Sequence, residues 1–80
     1  MMAGSEAFVL ISVEIGKTVD VRDELLKIKG VREAHCVMGP YDVICRIVAD
    51  SADDIPRLVL DSIHPIEGVV DTLTATVFTP

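Results

Sequence analysis

Apolar residues run almost unbroken from position 7 to 15 and are rich in β-branched side chains, which predicts a strand. Gly16-Lys17 ends it. Val21, Leu25 and Ile28 then recur at helical spacing with charge between them, predicting an amphipathic helix over 19–29. Thr18 or Asp20 can cap that helix. Asp20, Asp23 and Glu24 suit the positive end of its dipole, and Gly30 stops it. A second strand over 31–38 and a third over 43–49 flank Gly39-Pro40-Tyr41-Asp42. That link is too short for a crossover, so the two strands form a hairpin.

A second helix opens near Ser51-Ala52-Asp53-Asp54. Ser51 and Asp54 resemble a capping box, but a cap at Ser51 puts Pro56 one position too deep. Asp53 is the preferred cap, with Pro56 in the first turn. Ile55, Leu58, Val59 and Ile63 form the buried stripe, and His64-Pro65 ends the helix. The last strand covers 69–78.

The order β-α-β-β-α-β is an internal repeat. Ile28-Lys29-Gly30-Val31 matches Ile66-Glu67-Gly68-Val69, and the same spacing relates Val21 to Val59 and Leu25 to Ile63. Two βαβ halves predict an α+β, ferredoxin-like βαββαβ sandwich of the dimeric α+β barrel type. Its four-stranded antiparallel sheet carries both helices on one face.

The other sheet face has no cover within the chain, and alternation assigns residues to it. Val9, Ile11, Val13 and Ile15 suit the helix side of the first strand, leaving Phe8, Leu10, Ser12 and Glu14 opposite. In the third strand Val43, Cys45, Ile47 and Ala49 share one face, and Ile44, Arg46 and Val48 the other. In the last strand Leu73, Ala75 and Val77 oppose Val70, Thr72, Thr74, Thr76 and Phe78. The expected interface is therefore Phe8, Leu10, Ser12, Ile44, Arg46, Val48, Val70 and Phe78. A face with that many large apolar groups marks sheet-on-sheet self-association.

Composition sharpens this. Eighty residues allow one domain, and so small a domain buries only roughly 60% of its unfolded surface. Half of the residues are nevertheless hydrophobic, with mean hydropathy +0.48, so part of the apolar surface is expected to meet a partner. Residues 1–6 read as a flexible start and 7–80 as a single domain. The net charge of −6 and scattered basic residues argue against nucleic acid or an anionic membrane as direct partner. No apolar run spans a bilayer and no signal peptide opens the chain, so a cytoplasmic location is expected.

Candidate chemistry is sparse. His35 and His64 lack neighbours at metal-ligand spacing, no phosphate loop or nucleophile elbow occurs, and no acid–base set is evident. No catalytic residue, metal or cofactor is expected. His64 reads as a surface or capping group and His35 as structural. Asp53-Asp54 reads as a helix start. If Met38 pairs with Val43, Cys36 falls opposite Cys45, although reduced thiols are expected in a cytoplasmic chain. Gly39-Pro40-Tyr41-Asp42 has the composition of a plain β-turn. It also offers backbone N–H groups for a carboxylate, Asp42 for an ammonium and Tyr41 as an apolar wall.

Gly30-Val31, Gly39-Pro40-Tyr41-Asp42, Ile66-Glu67-Gly68-Val69 and Asp71-Thr72-Leu73-Thr74 together resemble the effector (RAM) domain of Lrp/AsnC regulators, over almost the whole chain. The resemblance implies dimers that join into rings and an amino-acid effector bound between dimers. It puts Gly39, Pro40, Tyr41 and Asp42 at that site, with Thr72 and Thr74 from the last strand. Pro40 removes one backbone donor there. Family regulators carry an N-terminal helix-turn-helix, which is not seen here. The resemblance therefore implies a stand-alone form that senses an amino acid or co-assembles with a full-length regulator. Two other classes share the strand order. A small monooxygenase or isomerase of the α+β barrel type needs a polar pocket between sheet and helices. An ACT-like regulatory domain places its ligand near Ile15-Gly16-Lys17.

Overall fold

The computed structural model describes residues 4–80. Its elements are β1 (Ser5–Val13), α1 (Thr18–Leu25), β2 (Val31–Cys36), β3 (Val43–Ala49), α2 (Asp54–Leu58) and β4 (Val69–Thr76). The strands form one antiparallel sheet in the order β2-β3-β1-β4, the ferredoxin-like arrangement that the repeat predicts. The expected loose start through residue 6 is corrected at Ser5 and Glu6, which pair with Ala49 and Val48. The rest of that segment, residues 1–3, lies outside the described residues.

The core lies between sheet and helices. Ala7, Val9 and Ile11 of β1 meet Val43, Cys45 and Ile47 of β3, with Val21 and Leu25 of α1 above them. Ile55, Val59 and Ile63 close the other half. Ile11, Leu25, Ile47 and Ile63 are completely buried, and each such side chain contributes about 1.5–3 kcal/mol. Leu58, expected in the same stripe, is half-buried at the margin of the core.

The two helical arms return to the sheet through equivalent glycines. Gly30 has φ +101° and Gly68 φ +100°, a region that side chains avoid. A Cβ at Gly30 would stand 2.9 Å from Leu58 Cδ1, and one at Gly68 2.9 Å from Lys17 Cβ. The matched Gly-Val pairs of the repeat are thus matched backbone turns.

Helix details depart from expectation at the ends. The first helix stops at Leu25, and the chain tightens into turns in which Lys27 N bonds Glu24 O and Ile28 N bonds Leu25 O. Neither Thr18 nor Asp20 caps it with a side chain. Asp53 also makes no cap bond; instead Ser51 Oγ donates to Asp54 Oδ2 at 3.2 Å. α2 runs on as a π-turn, Val59–Ile63, closed by His64 N donating to Val59 O at 2.9 Å. Ile15, expected on the helix side of β1, lies in the turn after it and is fully exposed.

The largest correction concerns β4. Val13 pairs with Val69 but Ser12 pairs with Asp71, so Val70 is the extra residue of a β-bulge. The bulge reverses the alternation beyond it. Thr72, Thr74 and Thr76 pair with Ile11, Val9 and Ala7 and therefore share the helix side. Leu73 and Ala75 pair with Leu10 and Phe8 on the uncovered side, opposite to the expected assignment. Val70 stands with Asp71 against Ser12. Phe78, expected within the strand, lies beyond its end and is 81% exposed.

Candidate functional site

The turn between β2 and β3 is fastened to β1 through one residue. Asp42 N donates to Ile11 O at 2.9 Å, Asp42 O accepts from Val37 N at 2.9 Å, and Asp42 Oδ2 accepts from Val13 N at 2.9 Å. The carboxylate thus supplies the partner that Val13 N–H lacks where the ladder ends. One of its oxygens, Oδ2, is committed to this anchor. Tyr41 is half-buried, while Gly39 and Pro40 are exposed at the tip.

The structure gathers Gly39, Pro40, Tyr41 and Asp42 but not the two threonines. Ile11 pairs with Val43 on one side and Thr72 on the other, so Thr72 is two strand spacings, about 10 Å, from the turn's end of β3. Thr74 is one inward-facing pair farther along β4. Thr72 Oγ1 is engaged by His64 Nε2 at 2.8 Å, with His64 exposed at the end of the second helical arm. Within one chain the six residues form two separate groups at the same end of the sheet.

The uncovered face carries a second constellation. Phe8, Leu10, Ser12, Ile44, Arg46 and Val48 all lie on it, as their pairing requires. Arg46 Nε donates to Glu33 Oε2 at 2.7 Å, and Arg46 Nη1 donates to Glu6 Oε2 at 2.8 Å. His35 Nε2 meets Glu33 Oε1 at 2.9 Å, so the imidazole donates to the carboxylate. This four-residue chain crosses β1, β3 and β2. The His35 and Arg46 hydrogen bonds hold the Glu33 carboxyl below the ordinary carboxylate range. On the same face Phe8 and Leu73 are exposed, and Val77, whose N–H donates to Glu6 O, is exposed just beyond β4. Glu6, Glu33 and His35 were not among the expected face residues. The alternation Glu33/His35 against Ala34/Cys36 carries the signal, but only a known register makes it readable.

Two clefts lie elsewhere. One of about 460 Å³ opens between α1 and the approach to β4, lined by Lys17, Glu24, Ser62 and Ile66 among others. The other, about 450 Å³, lies at the opposite end of the sheet from the turn and is lined by Gly30, Arg32, Arg57 and Asp61 among others.

The register also separates the cysteines. Cys36 pairs with Val43 and Cys45 with Ala34, so the expected Cys36–Cys45 opposition is corrected by two positions. Cys36 is exposed, whereas burial pushes the Cys45 thiol up to about 11. In the folded chain a thiol reagent is expected to label Cys36 readily and Cys45 only in denaturant. Fast labelling of both would contradict this register.

Residues 6–79 match the family model described as the Lrp/AsnC ligand binding domain. An uncharacterized HTH-type transcriptional regulator of Pyrococcus horikoshii is 33% identical over 78 residues, covering 94% of this chain and 52% of its own length. The crystal structure of FFRP-DM1 superposes with a TM-score of 0.87 at 28% identity, covering 92% of this chain and 99% of its own. The transcriptional regulator–L-Met complex of Neisseria meningitidis shares the fold, with a TM-score of 0.78 at 22% identity over 94% of this chain and 50% of its own. The chain spans about half the length of the curated relatives it matches. None of its described helices is long and apolar enough to cross a membrane.

Proposed function

The chain belongs to the Lrp/AsnC ligand-binding domain family, and from that premise we propose that it binds an amino-acid effector and assembles through the uncovered face of its sheet. The observation that carries the ligand reading is the Gly39–Asp42 turn. Asp42 holds it rigidly against β1 while its tip stays open to solvent. Free backbone donors at such a turn complement a carboxylate, and the second oxygen of Asp42 complements an ammonium. Thr72 and Thr74 complete the site from a neighbouring copy, because a single chain keeps them on the far side of β1. The L-Met held by the Neisseria meningitidis regulator indicates the ligand class to try first.

The assembly reading rests on the apolar residues around Arg46. The broad face of a molecule 42 × 23 Å across offers on the order of the 800 Å² that a standard interface takes from each partner. Dimers joined into rings, and co-assembly with a full-length regulator of the family, extend this reading. An enzymatic role has little to work with. The described buried residues between sheet and helices include no polar or charged side chain, and six of the seven relatives are named as transcriptional regulators, the seventh being a homocitrate synthase matched over 13% of its length.

Thermal shift against the twenty amino acids tests the proposal. Some amino acid should raise the melting temperature, with about 2.7 kcal/mol of added stability at a hundredfold excess over Kd. No shift with any of them would overturn the ligand reading. Asp42→Ala strands Val13 N–H and is expected to cost about 1–3 kcal/mol of stability. Asp42→Asn keeps an oxygen for Val13 but loses the charge, so it should fold normally and bind the effector about tenfold or more weakly. Unchanged affinity in Asp42→Asn would remove the turn from the site. The ACT-like alternative gains one observation, since Lys17 borders the 460 Å³ cleft. Loss of the ligand in Lys17→Ala, with Asp42→Asn unaffected, would favour it.

A further inference from the structure

We propose that association of two copies through the uncovered sheet face takes up protons at His35, so that the dimer tightens as the pH falls through the histidine range. The inference rests on the assembly reading above and adds to it a regulation of the same surface.

The charges on this face are few, and they can be counted by strand. β1 contributes Glu6, β3 Arg46, and β2 Glu33 and His35. β4 contributes Asp71, which is exposed on the outer strand and outside the chain of bonds. Within that chain Arg46 is shared between Glu6 and Glu33, and His35 ends it on Glu33. Two carboxylates and one guanidinium leave one negative charge. An imidazolium at His35 cancels it. Glu33 stays ionised over the relevant window, because the His35 and Arg46 hydrogen bonds hold it below its ordinary range. Histidine is the side chain that changes charge there.

A second copy is the fitting occupant. Arg46 is already paired with Glu6 and Glu33 within one molecule, so it calls for no acidic partner, and the exposed Phe8 and Leu73 on the same face call for an apolar one such as a second copy offers. Burying that face against its own image doubles whatever charge remains. Within the two bonded chains, neutral imidazoles leave two uncompensated negative charges and imidazolium groups leave none, while Asp71 keeps its charge in either state. Uncompensated charge taken out of water is costly. Protonation and association therefore favour each other. A cavity of about 40 Å³ bordered by Phe8, His35 and Arg46 lies beside the chain, so a partner side chain can seat there and exclude water from it.

The test is dilution by analytical ultracentrifugation at constant ionic strength, at about pH 6 and about pH 8. The dimer Kd is expected to be about tenfold weaker at the higher pH. His35→Gln should keep the weak Kd at both pH values. Glu33→Gln deletes a charge, keeps an oxygen for Arg46 Nε and turns an amide N–H toward neutral His35 Nε2, so it should be tight at the higher pH and gain nothing at the lower. His64→Gln should behave as the parent chain. A dimer with equal Kd at both pH values overturns the proton linkage and leaves the assembly reading standing. A chain that is monomeric at both overturns the assembly reading and the linkage with it.

Discussion

Ile11→Ala is expected to remove about 2–5 kcal/mol of stability, the usual cost of deleting a large buried aliphatic side chain. A chain of this length has on the order of 4–12 kcal/mol in total. Ile11 has no exposed surface, and it lies on β1 between β3 and β4. It pairs with Val43 on one side and Thr72 on the other, and its carbonyl takes the N–H of Asp42. A cavity there loosens the hairpin turn and β4 together. Urea unfolding should show the midpoint falling steeply, with thermal response to the effector falling too. A loss under about 1 kcal/mol would mean that the core refills the space.

The second large effect is expected at Arg46, and it separates folding from assembly. In a lone copy Arg46 is a partly exposed ion-pair residue, and such pairs add little to stability. Arg46→Ala should therefore melt close to the parent at high dilution. In the dimer the same change strands Glu6 and Glu33 without a cation, away from water. The expected result is a dimer Kd weakened by about 30-fold or more. A melting temperature that drops sharply with Kd unchanged would make Arg46 a folding residue and sink the assembly role.

Much of this architecture could be read from the chain. Alternation fixed Val43 to Ala49 to the residue, because both of its faces were distinct: Val43, Cys45 and Ile47 are buried while Ile44, Arg46 and Val48 are not. The repeat located two of the left-handed glycines, Gly30 and Gly68, since a Gly-Val at each arm's end answers a backbone need that local sequence alone encodes. The rest depended on partners distant in the chain. A single inserted residue at Val70 turned Thr72 and Thr74 toward the helices, and nothing in a run of valines and threonines announces a bulge. The hairpin register moved Cys36 from opposite Cys45 to opposite Val43.

The site divides in the same way. Gly39, Pro40, Tyr41 and Asp42 announce a turn by their own conformational preferences. That Asp42 binds the amide of Val13 is a contact across 29 positions, invisible until β1 and β3 are side by side. The network of Glu33 and His35, the latter read as structural, is hidden for a related reason. On an edge strand of mixed character, polarity marks a solvated residue as readily as a member of a network. Only Arg46 brings them into one.

β4 stands at the margin of the sheet, with β1 as its only strand neighbour and most of its side chains exposed. Segments held so lightly are the first to exchange their amide hydrogens. If β4 lifts away, the freed edge of β1 becomes a template on which another molecule can lay a strand. A contact that pins β4, whether a second copy or an effector at Thr72, protects the chain from its own sheet edge.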